Sequence, residues 1–217
     1  MYSGKTDAGI KLYEKLILKG GSHIGVQPAS NIRDIDLFNP EVKSRSGRNI
    51  SAVVLEDGSD VYVDELEKIL ESNQTVLIEE PHFPNLSKEG ERRFVEMVKH
   101  YGWDQDRFSP EQFEELRMGV PMEDVSSGKQ IIITSLDYYF NEDPVEIVHN
   151  LKPYSITRTG LAVCHQCSRP AHRTQMRVNG KPAPYSYDNK VVEEEGSDVS
   201  YDPSCVECLD VPESPRR

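Results

Sequence analysis

Long apolar runs are missing from this sequence of 217 residues. Nothing approaches the roughly 20 residues that cross a bilayer, and the opening Met1-Tyr2-Ser3-Gly4-Lys5-Thr6 has no secretory h-region. The expected protein is soluble and cytoplasmic. Positive charge is also short. Lys and Arg number 25 against 37 Asp and Glu, a formal net charge of -12. That balance argues against nonspecific contact with nucleic acid or anionic membranes. An anionic ligand would need a local group of Lys, Arg or backbone N–H donors. Hydrophobic residues reach only 36%, which suffices for one moderate core, with or without a small added module. Cysteine occurs four times, and none stands alone.

What is there begins with those cysteines. They form two Cys-x-x-Cys pairs, Cys164-His165-Gln166-Cys167 and Cys205-Val206-Glu207-Cys208. Two thiolates three residues apart can grip one metal ion from a single turn. A second pair completes the all-sulfur shell typical of structural Zn²⁺. Disulfides or redox thiols are the other readings. Cysteines used only as a metal clip fit a reducing compartment.

Along the chain, apolar spacing predicts a helix from Asp7 to Leu18, ended by Gly20-Gly21. Strands are expected at Ile24–Gln27, Ala52–Leu55, Thr75–Ile78 and Ile131–Leu136, and helices at Val63–Glu71 and Glu89–Tyr101. Asn31 to Asn49 is polar and Arg-rich and reads as a mobile loop. Trp103 to Gly128 is acidic, with Pro110, Pro121 and a Ser-Ser-Gly, and reads as an inserted helical lid or surface excursion. Alternating strands and helices indicate an α/β domain with a mostly parallel sheet. Ligands bind at the carboxyl ends of such strands, and here Glu79, Glu80 and Asp137 lie at those ends.

Ser3-Gly4-Lys5-Thr6 runs straight into the first helix, like the second half of a phosphate-binding P-loop. In that motif backbone N–H groups at a helix start cradle phosphates, the lysine reaches the β/γ oxygens and the hydroxyl holds Mg²⁺. The first glycine of the motif would precede Met1 by two positions, so the expected fold is a P-loop-type α/β sheet whose first strand is missing. Thr75-Val-Leu-Ile-Glu79-Glu80 has the form of a Walker B strand, an apolar run that delivers a carboxylate to Mg²⁺. Each motif alone has a plain alternative, an ordinary terminal Gly-Lys-Thr or a strand ending in a solvated turn. Together they favour nucleotide binding.

From Met1 to about Leu209 these residues resemble the zinc-containing (type II) thymidine kinase family. Met1 to Thr6 is similar to its Gly-Pro-Met-[Phe/Tyr]-Ser-Gly-Lys-[Ser/Thr] opening. Ile78-Glu79-Glu80-Pro81-His82-Phe83 is similar to its Ile-Asp-Glu-x-Gln-Phe-Phe, and Leu136-Asp137-Tyr138-Tyr139-Phe140 to its Leu-Asp-x-x-Phe. Ala162-Val163-Cys164 through Ala171-His172-Arg173-Thr174-Gln175 and Tyr201 before Cys205 complete the series.

The resemblance implies ATP-dependent phosphorylation of the 5′-hydroxyl of thymidine or deoxyuridine, with structural Zn, Mg and ATP, in a homotetramer. It implies Glu80 as the catalytic base, and Ser3, Gly4, Lys5, Thr6 and Glu79 at the nucleotide and metal. Met1, Arg33, Phe83, Leu136, Phe140 and Tyr201 would contact the nucleoside, and Cys164, Cys167, Cys205 and Cys208 would bind zinc. Residues 1–160 would form the nucleotide-binding domain. Residues 161–217 would form a small zinc-ribbon module carrying a lasso, Ser168 to Ser204, that folds over the base.

The chain departs from the family at several places. Glu79 stands for its Asp, His82 for its Gln, Asn31 for the Asp of its Asp-x-Arg, and Asn141-Glu142-Asp143-Pro144-Val145 for its Arg and Pro-Phe-Gly. These changes place two acids where the family has a cation. They leave open a catalytically impaired relative, a zinc-stabilised nucleoside-binding or scaffold protein. A kinase for a different deoxynucleoside is a further reading.

Overall fold

The computed structural model describes residues 4–18, 20–31, 39–44, 46–82, 84–102, 129–155, 157, 159–187 and 198–215. Helix α1, Lys5–Ile17, buries Ile10, Tyr13 and Leu16 at three-residue spacing, one stripe of an amphipathic helix. Gly20, at φ +91, closes it, and its N–H donates to Ile17 O at 3.0 Å. That backbone is one a side chain resists.

Strands β1 (His23–Pro28), β2 (Glu41–Lys43), β3 (Asn49–Leu55), β4 (Thr75–Glu79) and β5 (Gln130–Thr134) form one sheet in the order β2-β3-β1-β4-β5. The pairs β1–β3, β1–β4 and β4–β5 are parallel, and only β2 runs antiparallel, on β3. The mostly parallel α/β sheet expected from the alternation is present.

Strand alternation sends successive side chains to opposite faces. Val76 and Ile78 of β4 enter a core with Tyr62, Leu66 and Leu70 of helix α2 (Ser59–Ser72) and Phe94 and Met97 of helix α3 (Lys88–Gly102). Leu77 of β4 and Ile132 of β5 pack on the other face with Ile10, Tyr13 and Leu16 of α1. Both faces are covered, which is why these strands read as continuous apolar runs. Glu79, two residues on from Leu77, therefore lies on the α1 side, and so does Thr134, two on from Ile132.

The elements that escaped the sequence reading include two that pack on this domain. The stretch expected to be a loop holds β2, whose three residues are too few to show a period. Its one apolar side chain, Val42, is buried beside Ala52. Helix α4, Glu146–Leu151, is a short turn and a half that buries Ile147 and Leu151 against the α2–α3 core. The acidic stretch 103–128 lies outside the described residues.

After α4, β6 (Ala162–Val163) and β7 (Pro170–Ala171) form a two-stranded ribbon, and β8 (Arg173–Val178), β9 (Lys181–Pro182) and β10 (Val199–Ser204) an antiparallel sheet in the order β10-β8-β9. Its core joins Met176, Ala183, Val199, Leu209 and Val211 to Phe140 from the turn before α4. Gln175, fully buried, grips the chain beyond the second cysteine pair. Its amide donates to Asp210 O at 2.8 Å and its carbonyl accepts from Asp210 N at 2.8 Å.

Lys129 caps the far end of α2. Its ammonium donates to Glu71 O at 2.7 Å, to Asn73 O at 3.3 Å and to Leu70 O. A cation on the last carbonyls of a helix satisfies orphan acceptors and complements the helix dipole. Lys129→Met should lower stability by about 1–2 kcal/mol, read as a shifted denaturant midpoint with an unchanged slope.

Candidate active site and metal centre

The start of α1 meets the end of β4. Lys5 Nζ lies 3.1 Å from Glu80 Oε1, with both side chains mostly buried. Thr6 Oγ1 donates to Glu79 Oε1 at 2.6 Å, and Thr134 Oγ1 donates to Glu79 Oε2. Alternation alone would send Glu79 and Glu80 to opposite faces. Glu80 instead takes φ 45, a left-handed backbone that ends the strand, and its N–H donates to Thr134 O at 2.7 Å. That turn brings both carboxylates to the first turn of the helix, on neighbouring partners. Left-handed backbone at a non-glycine residue is a strained state that clusters at functional sites.

Glu79 is almost wholly buried. Burial, together with the charge of Glu80, pushes its carboxyl up to about 7 from 4.5, against the hydroxyls of Thr134 and Thr6 and the charge of Lys5, which act the other way. A carboxyl raised in the native state keeps its proton longer there than in the unfolded chain. Folding then takes up protons between pH about 4.5 and 7, and stability falls as pH rises through that window. The loss should reach about 3 kcal/mol. Glu79→Gln should flatten the slope in chemical denaturation at pH 5 to 8, without nucleotide or divalent cation. An equal slope in the variant would put its origin elsewhere.

Beyond β5 the chain carries Leu136, half-buried, and Asp137, whose Oδ1 pairs with Lys152 Nζ at 3.0 Å. His82, buried, meets Ser135 Oγ through Nδ1 at 2.9 Å. Phe140 shares one apolar cluster with Tyr201 of β10, while Leu136 lies outside that cluster. The acids at 142 and 143 turn toward the C-terminal sheet. Glu142 Oε1 lies 3.6 Å from Arg173 Nε, and Asp143 accepts from Tyr185 Oη at 3.0 Å. Arg173 also stacks over the Tyr138 ring, 4.2 Å from its centroid. These two acids thus tie the turn to the C-terminal module.

The four cysteines converge. Their sulfurs all lie within 4.8 Å of one another, and Cys167 and Cys205 approach to 3.6 Å without a disulfide. A tetrahedral shell with Zn–S bonds of about 2.3 Å sets its sulfurs about 3.8 Å apart, so this donor set fits zinc. Each pair sits in a tight turn, with Ser168 N donating to Cys164 O at 2.9 Å and Cys208 N to Cys205 O at 3.2 Å. Arg169 Nε donates to Cys167 Sγ at 3.3 Å and holds that thiol below its ordinary range. His165, inside the first turn, is exposed and stands outside the sulfur cluster.

Comparison with known proteins adds a likeness of sequence. The thymidine kinase family model matches residues 112–209. Thymidine kinases from two strains of Halobacterium salinarum are each 24% identical to this chain over 209 residues, covering 96% of it and 89% of the relative. Over these residues the chain is similar to thymidine kinases. The family match spans both cysteine pairs, and the matches to the relatives extend over nearly the whole chain.

Of the expected site residues, Gly4, Lys5, Thr6, Glu79 and Glu80 come together at one end of the sheet, Phe140 and Tyr201 join at the C-terminal sheet, and the cysteines form one cluster. Met1, Ser3, Arg33 and Phe83 lie outside the described residues. The sequence reading missed Thr134, which touches Glu79, and Gln175, whose role in holding Asp210 was not seen. A signal for Thr134 existed: it ends the apolar run Ile131-Ile132-Ile133, on the same face as Ile132. Among the described residues no helix is long and apolar enough to cross a membrane.

Proposed function

We propose that this protein phosphorylates the 5′-hydroxyl of thymidine or deoxyuridine with ATP. The observation that carries the reading is the pairing of two adjacent helix-start residues, Lys5 and Thr6, with two adjacent strand-end carboxylates, Glu80 and Glu79. Phosphoryl transfer asks mainly for alignment and charge neutralisation. A helix N-terminus with a lysine supplies positive potential for phosphate oxygens. The hydroxyl of Thr6 and the carboxylate of Glu79 form an all-oxygen pair suited to a hard cation such as Mg²⁺. When bound, that cation neutralises charge on the triphosphate.

Glu80 accepts the proton of the nucleoside 5′-OH as that oxygen bonds to the γ-phosphorus. The bond from phosphorus to the β,γ-bridging oxygen breaks, and ADP leaves with the electron pair. Lys5, now beside Glu80, exchanges that partner for the phosphates as ATP binds. Leu136, Phe140 and Tyr201 would line the base, with Met1, Arg33 and Phe83 completing the contact. Residues 161–217, closed by zinc on Cys164, Cys167, Cys205 and Cys208, would carry the lasso, and residues 1–160 the nucleotide site.

The test is transfer of label from γ-labelled ATP to thymidine by the purified protein, with formation of thymidine monophosphate expected. Binding of thymidine and zinc without any product would favour the non-catalytic binder instead.

A further inference from the structure

We propose that Thr134 is a positioning residue for Glu79: its hydroxyl holds one carboxylate oxygen so that the other is presented beside Thr6. The inference rests on the kinase reading, because it concerns the residues assigned there to the nucleotide-bound divalent cation.

Register makes the contact possible. Glu79 and Thr134 are paired residues of parallel strands β4 and β5, and both point to the α1 face. Each is more than nine-tenths buried. The two oxygens of Glu79 are divided between two hydroxyls, Oε1 to Thr6 and Oε2 to Thr134.

The orientation of Thr134 is itself imposed. α1 passes so close that a Cβ at Gly9 would fall 2.5 Å from Thr134 Cγ2. The bare glycine leaves room for the methyl. With the methyl lodged there, a β-branched side chain that is stiff at χ1 has its hydroxyl turned to Glu79. The need for a second anchor follows from chemistry. Glutamate has one more rotatable bond than aspartate, so one hydrogen bond from Thr6 fixes its carboxylate less well. Thr134 also holds Glu80, but through its main-chain oxygen, which accepts from Glu80 N at 2.7 Å. A side-chain substitution therefore separates the two roles.

The experiment measures ADP binding by calorimetry with and without Mg²⁺, alongside steady-state kinetics. Wild type should bind ADP more tightly with Mg²⁺. Thr134→Val keeps the shape and removes the donor. It should lose roughly tenfold of the Mg²⁺-dependent gain, with the metal-free ADP affinity unchanged and kcat lowered at constant KM for thymidine. Thr134→Ser, which keeps the hydroxyl, should restore most of the gain. Gly9→Ala, which displaces the methyl, should repeat the loss. If Thr134→Val does not fold by circular dichroism, the contrast between Thr134→Ser and Gly9→Ala decides. A wild-type Mg²⁺ gain in Thr134→Val, or in Gly9→Ala where that pair decides, overturns the Thr134 assignment and leaves the kinase reading standing. A wild type with no Mg²⁺-dependent ADP binding overturns both.

Discussion

Glu80→Gln should lower the rate of the proposed thymidine phosphorylation by about 10²–10⁴-fold, the range a positioned general base contributes. The substitution keeps the size of the side chain and removes its ability to take a proton. Glu80 also faces Lys5 at 3.1 Å, so its charge holds the lysine that must reach the triphosphate. Neutralising it frees Lys5. MgADP affinity should therefore stay level or rise while kcat falls. That opposition distinguishes loss of the base from loss of the fold, which would weaken both. Steady-state kinetics with calorimetry on the same preparation reads it. A variant that retains wild-type kcat would remove Glu80 from the reaction and leave the base to be sought elsewhere in the site.

Removal of zinc carries the largest expected structural effect. Structural Zn²⁺ sites contribute about 10–16 kcal/mol of apparent binding free energy, as much as the whole stability of an ordinary domain, about 5–15 kcal/mol. Here the apolar cluster around the cysteines consists of little more than Ala162 and Ala171. Without an ion, four sulfurs within 4.8 Å would leave that end with almost nothing to hold it. The reduced protein should contain one zinc per chain by elemental analysis.

Chelation, or Cys164→Ser, should melt the β6–β7 ribbon and loosen the β8–β10 sheet, whose core includes Phe140 and Tyr201. The expected readouts are loss of near-UV tyrosine ellipticity and a rise of at least tenfold in KM for thymidine, with MgADP binding at the α1 start much less affected. Zinc-free protein with unchanged ellipticity and KM would show that the cysteines do not hold the module together.

Much of this was legible in residue order because it depends on local pattern. The runs Thr75-Val-Leu-Ile and Ile131-Ile-Ile are continuous because both sheet faces are covered, and they identified the central strands. The stripe Ile10, Tyr13 and Leu16 identified α1. Spacing within each Cys-x-x-Cys is a property of one turn, so the candidate metal site was visible before the fold was known.

Other features were invisible for an equally physical reason. β2 exists because Val42 pairs with Ile50 of β3 and joins the apolar cluster on that face, and three residues have no period to announce that. The acids Glu142 and Asp143 read as charge added near a phosphate site. Their partners, Arg173 and Tyr185, lie 31 and 42 residues away, and only packing of the C-terminal sheet brings them near.

By itself, then, the sequence determined that this chain would build a covered parallel sheet, place acids at its strand ends beside a Gly-Lys-Thr helix start, and carry two Cys-x-x-Cys turns suited to a metal ion. Those are matters of periodicity, run length and spacing. Only the tertiary structure decided that Glu79 and Glu80 reach the same helix turn, and that Thr134 shares Glu79 with Thr6. The reason is that these contacts depend on strand register, on one left-handed residue and on the close approach that Gly9 permits. Such relations join residues 50 to 130 positions apart and leave no mark in any short window of the chain.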